Sequence, residues 1–135
     1  FLDDVDSLSA RAQVGLLRFL QDFEYRPVGA GTTRTANVRV LAATNASLDT
    51  LIARGTFRRD LLYRLNALEV WIPALRQRAD DVPLLAAHFL DRAGRLLRAG
   101  VRRFSDDALV LLAAYAWPGN IRELENIALR AAALV

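Results

Sequence analysis

Phe1-Leu2-Asp3-Asp4 has the form of a buried β-strand that runs directly into two adjacent carboxylates. An apolar strand ending in paired acids suits a Mg²⁺-nucleotide site, where one carboxylate holds the metal's water shell and the other orients an attacking water. Val38-Arg39-Val40-Leu41-Ala42-Ala43 is a second β-branched and apolar run, and it closes on Thr44-Asn45, two uncharged hydrogen-bonding side chains. Between the two runs, Ser7 and Ser9 offer N-caps. Val14, Leu16, Leu17, Leu20 and Phe23 then fall at three- and four-residue steps, which predicts an amphipathic helix over residues 9–22. Glu24 to Asn37, with Gly29, Gly31 and the pair Thr32-Thr33, predicts a flexible loop or hairpin.

Downstream of Asn45, Ser47 is placed to cap a short helix that runs to Arg54 and ends at Gly55. Phe57 to Leu65 has helical spacing, and Ala67 to Ile72 predicts a third strand. Strand, helix, strand, helix, strand implies an α/β class with a parallel sheet covered by helices.

From Pro73 onward the apolar residues keep helical spacing with no further strand. Asp80 or Asp81 is expected to cap a helix with Pro83 in its first turn, carrying Val82, Leu85, Phe89, Ala93 and Leu96 inward until Gly100. Ser105 caps a helix over 106–115, and Phe104 before the cap can staple onto Leu109. Trp117-Pro118-Gly119 forces a turn, and Trp117 and Pro118 read as packing and turn residues. Asn120 is expected to begin the last helix, with Glu123 completing a capping box and Ile121, Leu124, Ala128 and Ala131 as its buried stripe. The expected division is 1–75 for the α/β portion and 76–135 for the helical portion.

The 135 residues are 53% hydrophobic and 24% charged, the balance of a globular chain rather than a disordered one. All 18 basic residues are Arg, so the phosphate-cradling motif G-x-x-x-x-G-K-[ST] cannot occur here. The absence of Cys excludes a disulfide framework and a thiolate metal site, and fits a reducing compartment. His88 is the sole histidine, which argues against a histidine-based metal centre. No apolar run approaches the ~18 residues of a membrane span, so a cytoplasmic protein without membrane contact is the expectation. The net charge of +3 is spread over interleaved acids and bases, a weak electrostatic footprint for nucleic acid.

Five segments, in this order and spacing, resemble the AAA+ central domain of the sigma-54-dependent transcription activators, also called bacterial enhancer-binding proteins. They are Phe1-Leu2-Asp3-Asp4, Ala43-Thr44-Asn45, the run from Gly55 to Asn66 (GTFRRDLLYRLN), Pro73-Ala74-Leu75-Arg76-Gln77-Arg78, and Trp117-Pro118-Gly119-Asn120-Ile121-Arg122-Glu123-Leu124. The resemblance spans the whole chain. It implies the later part of a P-loop NTPase (AAA+) parallel sheet with its helices, followed by an all-α lid.

By the same resemblance, Asp3 is the Walker B acid that holds Mg²⁺ through water. Asp4 stands where the family has Glu to polarise the hydrolytic water. One methylene shorter, it raises the alternative of a degenerate regulator that binds nucleotide or a partner without efficient hydrolysis. Asn45 matches sensor I, with Thr44 assisting: an amide both donates to a γ-phosphate oxygen and accepts from water. Arg58 and Arg64 match arginine-finger positions that reach a neighbouring subunit's nucleotide, a task suited to a planar fork that keeps its proton. On one continuous helix, residues six apart would not share a face.

Arg122 matches sensor II, in the first turn of the last helix where free N–H groups favour an anion; the plainer role is a surface pair with Glu123 or Glu125. Residues 25–37 match the pre-sensor I insertion. The implied cofactors are ATP and Mg²⁺. The implied partners are the sigma-54 RNA polymerase holoenzyme, further copies in a hexameric or heptameric ring, and DNA through a separate domain. The P-loop and the sigma-contact loop are expected upstream of Phe1, so these residues alone are expected not to hydrolyse ATP. A noncatalytic interaction module is the reading from a different functional class.

Overall fold

Leu2 and Ala42 face each other in a parallel bridge. Leu2 N–H donates to the Leu41 carbonyl (2.8 Å), Ala43 N–H to the Leu2 carbonyl (2.8 Å), and Val5 N–H to the Ala43 carbonyl (3.1 Å). The two expected strands are therefore parallel neighbours, as a crossover through an intervening helix requires. The structure, a computed structural model, describes residues 1–98, 100 and 103–134, and divides into two units, Phe1–Val70 and Trp71–Val135.

In the first unit, helix α1 (Ala10–Asp22) is capped by Ser9, whose hydroxyl accepts from Ala12 N–H. Ser7 instead closes a 3₁₀ turn, its hydroxyl donating to the Asp4 carbonyl at 2.8 Å. Strands β1 (Glu24–Tyr25) and β2 (Arg34–Thr35) pair antiparallel, Glu24 opposite Thr35. Residues 24–35 thus form a hairpin with Val28 fully exposed at its tip and Gly29 at φ 80°, a conformation that glycine adopts without strain. Ser47 caps α2 (Leu48–Ala53) through Thr50 N–H, and Gly55 takes φ 71° in the turn after it. Helix α3 (Arg59–Leu65) packs against α1, with Val5, Phe57 and Leu61 buried.

Two expectations for this unit are corrected. Ala67 to Ile72 forms no strand among the described residues; Leu68 and Val70 are about three-quarters exposed. An apolar run needs a ladder partner to become a strand, and none pairs with it among the described residues. Phe1 is 81% exposed rather than buried, since the bridge at Leu2 covers only one side of it.

In the second unit, α4 (Val82–Leu97) and α6 (Asn120–Ala133) form the main packing, with α5 (Asp106–Ala114) against α4. Leu75, Val82, Ala86, Trp117 and Leu124 make one buried cluster, with Phe104 and Leu109 both packed on it as the stapled cap requires. Ser105 accepts from Ala108 N–H. The inward face of α4 is Val82, Ala86, Leu90, Ala93 and Gly94, whereas Leu96 is 73% exposed and the helix ends at Leu97, before Gly100. Asp81 holds the N-cap position of α4 but makes no side-chain cap; its carboxylate lies 3.9 Å from Arg78.

The start of α6 also departs from expectation. Glu123 reaches back to Gly119 N–H at 2.9 Å, so Gly119 and not Asn120 is the N-cap. Asn120, at φ 50°, turns its carboxamide to accept from Leu75 N–H at 2.9 Å. The buried stripe of α6 is Leu124, Ala128 and Ala132, with Ala131 only partly buried. Among the described residues no helix is long and apolar enough to cross a membrane.

Candidate functional site

The parallel bridge carries Asp3-Asp4 and Thr44-Asn45 to the same end of adjacent strands, the carboxyl edge where open α/β sheets bind ligands. Asp4 takes a left-handed conformation, φ 50° and ψ 51°, uncommon for a residue with a side chain. Its N–H meets Asp3 Oδ1 at 3.2 Å. Asp3 Oδ2 has no hydrogen-bond partner among the described residues, and Asp3, Asp4 and Asn45 are all exposed. Thr44 is already engaged: its hydroxyl donates to Asp6 Oδ1 and accepts from Ala46 N–H at 3.0 Å. Asp6 was not singled out by its sequence context, yet it ties the two strand ends together.

No group of three or more metal-ligating side chains occurs among the described residues.

Arg58 is not in a helix. It occupies the N-cap position of α3 at φ −85° and ψ 131°, so the six-residue spacing to Arg64, in the last turn of α3, says nothing about shared helical faces. The Arg58 guanidinium forms a two-point pair with Asp60, Nε to Oδ1 at 3.0 Å and a terminal nitrogen to Oδ2 at 2.7 Å. With both side chains about half exposed, such a pair contributes little stability and leaves the guanidinium free to exchange partners. Arg58, Arg59, Asp60 and Tyr63 line one open groove; Arg64 is exposed outside it.

The hydrogen bonds from Arg58 hold the Asp60 carboxyl below the ordinary carboxylate range. A carboxyl depressed in this way stabilises the fold above its unfolded value, about 4, and loses that contribution as pH falls through its lower folded value. Arg58→Ala is therefore expected to move the Asp60 titration upward, toward about 4, when followed by carboxyl carbon resonances.

In the second unit, Arg122 lies in the first turn of α6 and is exposed. Both acids expected as surface partners are engaged elsewhere. Glu125 pairs with Arg92 at 2.9 Å, and Glu123 is shared between Gly119 N–H and the Tyr115 hydroxyl. Among the described residues no ion pair engages Arg122, which lines an open groove with Gly119, Asn126, Ile127 and Arg130. Trp117 is 1% exposed, its indole N–H donating to the Leu112 carbonyl at 2.8 Å, and so serves packing. His88 is exposed, with its ring edge on Phe89.

Gln13 is the side chain that helix periodicity passes over. It is 1% exposed and is the buried polar residue among those described. The available signal was a polar residue on the stripe that continues through Leu16, Leu17 and Leu20.

Residues 1–71 match the Sigma-54 interaction domain, and residues 76–135 match the AAA+ ATPase lid domain. The chain is 49% identical over 134 residues to the phenol regulator MopR of Acinetobacter guillouiae, covering 99% of this chain and 24% of that protein. It is 46% identical over 135 residues to the transcriptional regulatory protein ZraR of Escherichia coli K12, covering 100% of this chain and 31% of that protein. The crystal structure of NtrX from Brucella abortus in complex with ATP aligns with TM-score 0.90 at 35% identity, over 98% of this chain and 31% of that one. The chain thus spans a quarter to a third of the proteins it matches.

Proposed function

We propose, because this chain belongs to the sigma-54 interaction domain family and continues into an AAA+ ATPase lid, that it is part of a ring-forming ATPase that remodels sigma-54 RNA polymerase for open-complex formation. The observation that carries this reading is the parallel bridge that sets Asp3-Asp4 beside Thr44-Asn45. Asp3 would hold Mg²⁺ through its water shell, and the ion would supply charge neutralisation on the phosphates. Asp4 orients the water that attacks the γ-phosphate, and Asn45, whose amide has no partner among the described residues, hydrogen-bonds that phosphate. Arg58 and Arg64 serve the nucleotide of the adjacent subunit in a hexameric or heptameric ring, and Arg122 serves the nucleotide of its own. Binding of ATP by this chain is supported by the NtrX complex at 35% identity, and DNA contact is assigned to a separate domain.

The hairpin 24–35, exposed at its tip, is the segment best built to move with nucleotide state. Steady-state ATP turnover and sigma-54-dependent open-complex formation by the full-length protein test the reading. Asp4→Glu lengthens the side chain by one methylene and is expected to raise turnover, by up to about a hundredfold if the native carboxylate stands ~1 Å short of its water. Brisk native turnover that Asp4→Glu leaves unchanged would mean that Asp4 already reaches the water. Absence of turnover in both forms would replace hydrolysis by nucleotide binding alone.

A further inference from the structure

We propose that Gln13 is a positioning residue for Arg58: its buried carboxamide fixes the backbone from which that guanidinium leaves the protein. The inference rests on the reading of Arg58 as a finger for the neighbouring subunit. Gln13 sits on α1, 45 residues from Arg58 in sequence, and its amide is fully used. Nε2 donates to the Leu8 carbonyl and to the Thr56 carbonyl, both at 2.9 Å, and Oε1 accepts from Arg58 N–H at 3.0 Å.

Two of these bonds grip the chain on either side of Phe57, which is itself 3% exposed. They hold both peptide groups flanking Phe57, and so set the direction in which the Cα–Cβ bond of Arg58 points. Arg58 is the N-cap residue of α3, so its amide precedes the helical ladder, and the acceptor it meets among the described residues is Gln13 Oε1. An apolar side chain would join α1 to α3 as well, because a buried amide is costly unless every bond is made. A fully satisfied amide at this point specifies one backbone geometry, and precision of about 1 Å is what a positioned charge requires.

The test uses the full-length protein. Gln13→Met keeps the volume and removes all three hydrogen bonds. It is expected to lower ATP turnover roughly 10- to 100-fold while leaving the affinity of each subunit for a slowly hydrolysed ATP analogue within about twofold. The decisive readout is mixing. Asp3→Asn subunits lack the metal-holding acid but keep an intact Arg58, so in mixed rings they present that finger to the intact nucleotide site of a Gln13→Met neighbour. Mixing these two impaired proteins is expected to restore turnover, as mixing Arg58→Ala with Asp3→Asn is.

Recovery in the Arg58 mixture but not in the Gln13 mixture overturns the role of Gln13 and leaves the finger standing. Recovery in neither removes the finger reading and this inference with it. Wild-type turnover by Gln13→Met also overturns the inference. So does a Gln13→Met/Arg58→Ala double variant that is roughly tenfold slower than Arg58→Ala alone, since a residue acting through Arg58 has nothing further to lose. Should Gln13→Met not assemble, Gln13→Leu, which fills the buried site without placing a charge against the Leu8 and Thr56 carbonyls, is expected to show the same loss and the same recovery on mixing, and its failure to recover while the Arg58 mixture recovers overturns the role of Gln13.

Discussion

Arg58→Ala in the full-length protein is expected to slow ATP turnover by about 10³-fold or more, with the melting temperature essentially unchanged. The size follows from the proposed role: a finger neutralises charge that develops on the transferring phosphoryl group, in a site that two subunits would assemble. The unchanged melting follows from exposure. Arg58 and Asp60 side chains are 47% and 49% exposed, so their pair is screened by water and its loss costs the fold little. In the proposed role, the same pair would keep the guanidinium in place without nucleotide. Asp60 holds the guanidinium by two parallel bonds, and the polyphosphate of a neighbouring subunit offers that fork a more highly charged partner. Arg58→Lys is expected to recover only part of the loss, because an ammonium lacks the planar fork. Turnover that survives Arg58→Ala but not Arg64→Ala would transfer the role to Arg64, which the structure places on the last turn of α3.

Trp117→Ala is expected to cost the helical unit about 3–5 kcal/mol, read as a lowered urea midpoint of the transition that reports this unit. Trp117 is the largest side chain in the cluster of Leu75, Val82, Ala86 and Leu124, and Tyr115 meets it edge-on at 5.1 Å between ring centres. Removing the indole leaves a cavity among residues drawn from a 3₁₀ turn and two helices, and it strips the Leu112 carbonyl of a 2.8 Å bond. The backbone adds to the effect, since Trp117 holds φ 50° and Asn120, three residues on, holds the same value. Two left-handed residues in one turn persist only because the surrounding packing over-determines them. A loss under about 1 kcal/mol would mean that the cluster closes over the gap and that Trp117 does not organise it.

The candidate site was proposed from strand ends together with the family resemblance. An apolar run that stops at acids or amides announces a ligand edge, and Asp3, Asp4, Thr44 and Asn45 could be named on that ground and by family resemblance. Ala67 to Ile72 carried the same apolar signal and misled, because whether such a run becomes a strand depends on a neighbour that composition does not encode. Asn120 misled in another way. Its type and its distance from Glu123 match a capping box, but its carboxamide is drawn to Leu75 N–H, a bond across 45 residues that local spacing cannot anticipate. Gln13 was passed over because periodicity counts apolar positions, and its three partners lie in two other segments.

By itself the sequence determined the order of the helices, the chemistry available at each strand end, the family, and the departure at Asp4, since all of these reside in residue type and short spacing. Tertiary structure alone decided that the two acid- and amide-ended strands are parallel neighbours, that Arg58 stands outside its helix with Gln13 fixing its amide, and that Glu123 and Glu125 are both engaged away from Arg122. The physical reason is the reach of the interactions. Caps and periodicity act within a turn or two, whereas a buried amide or a strand pair joins residues about forty apart, and only packing brings those within 3 Å.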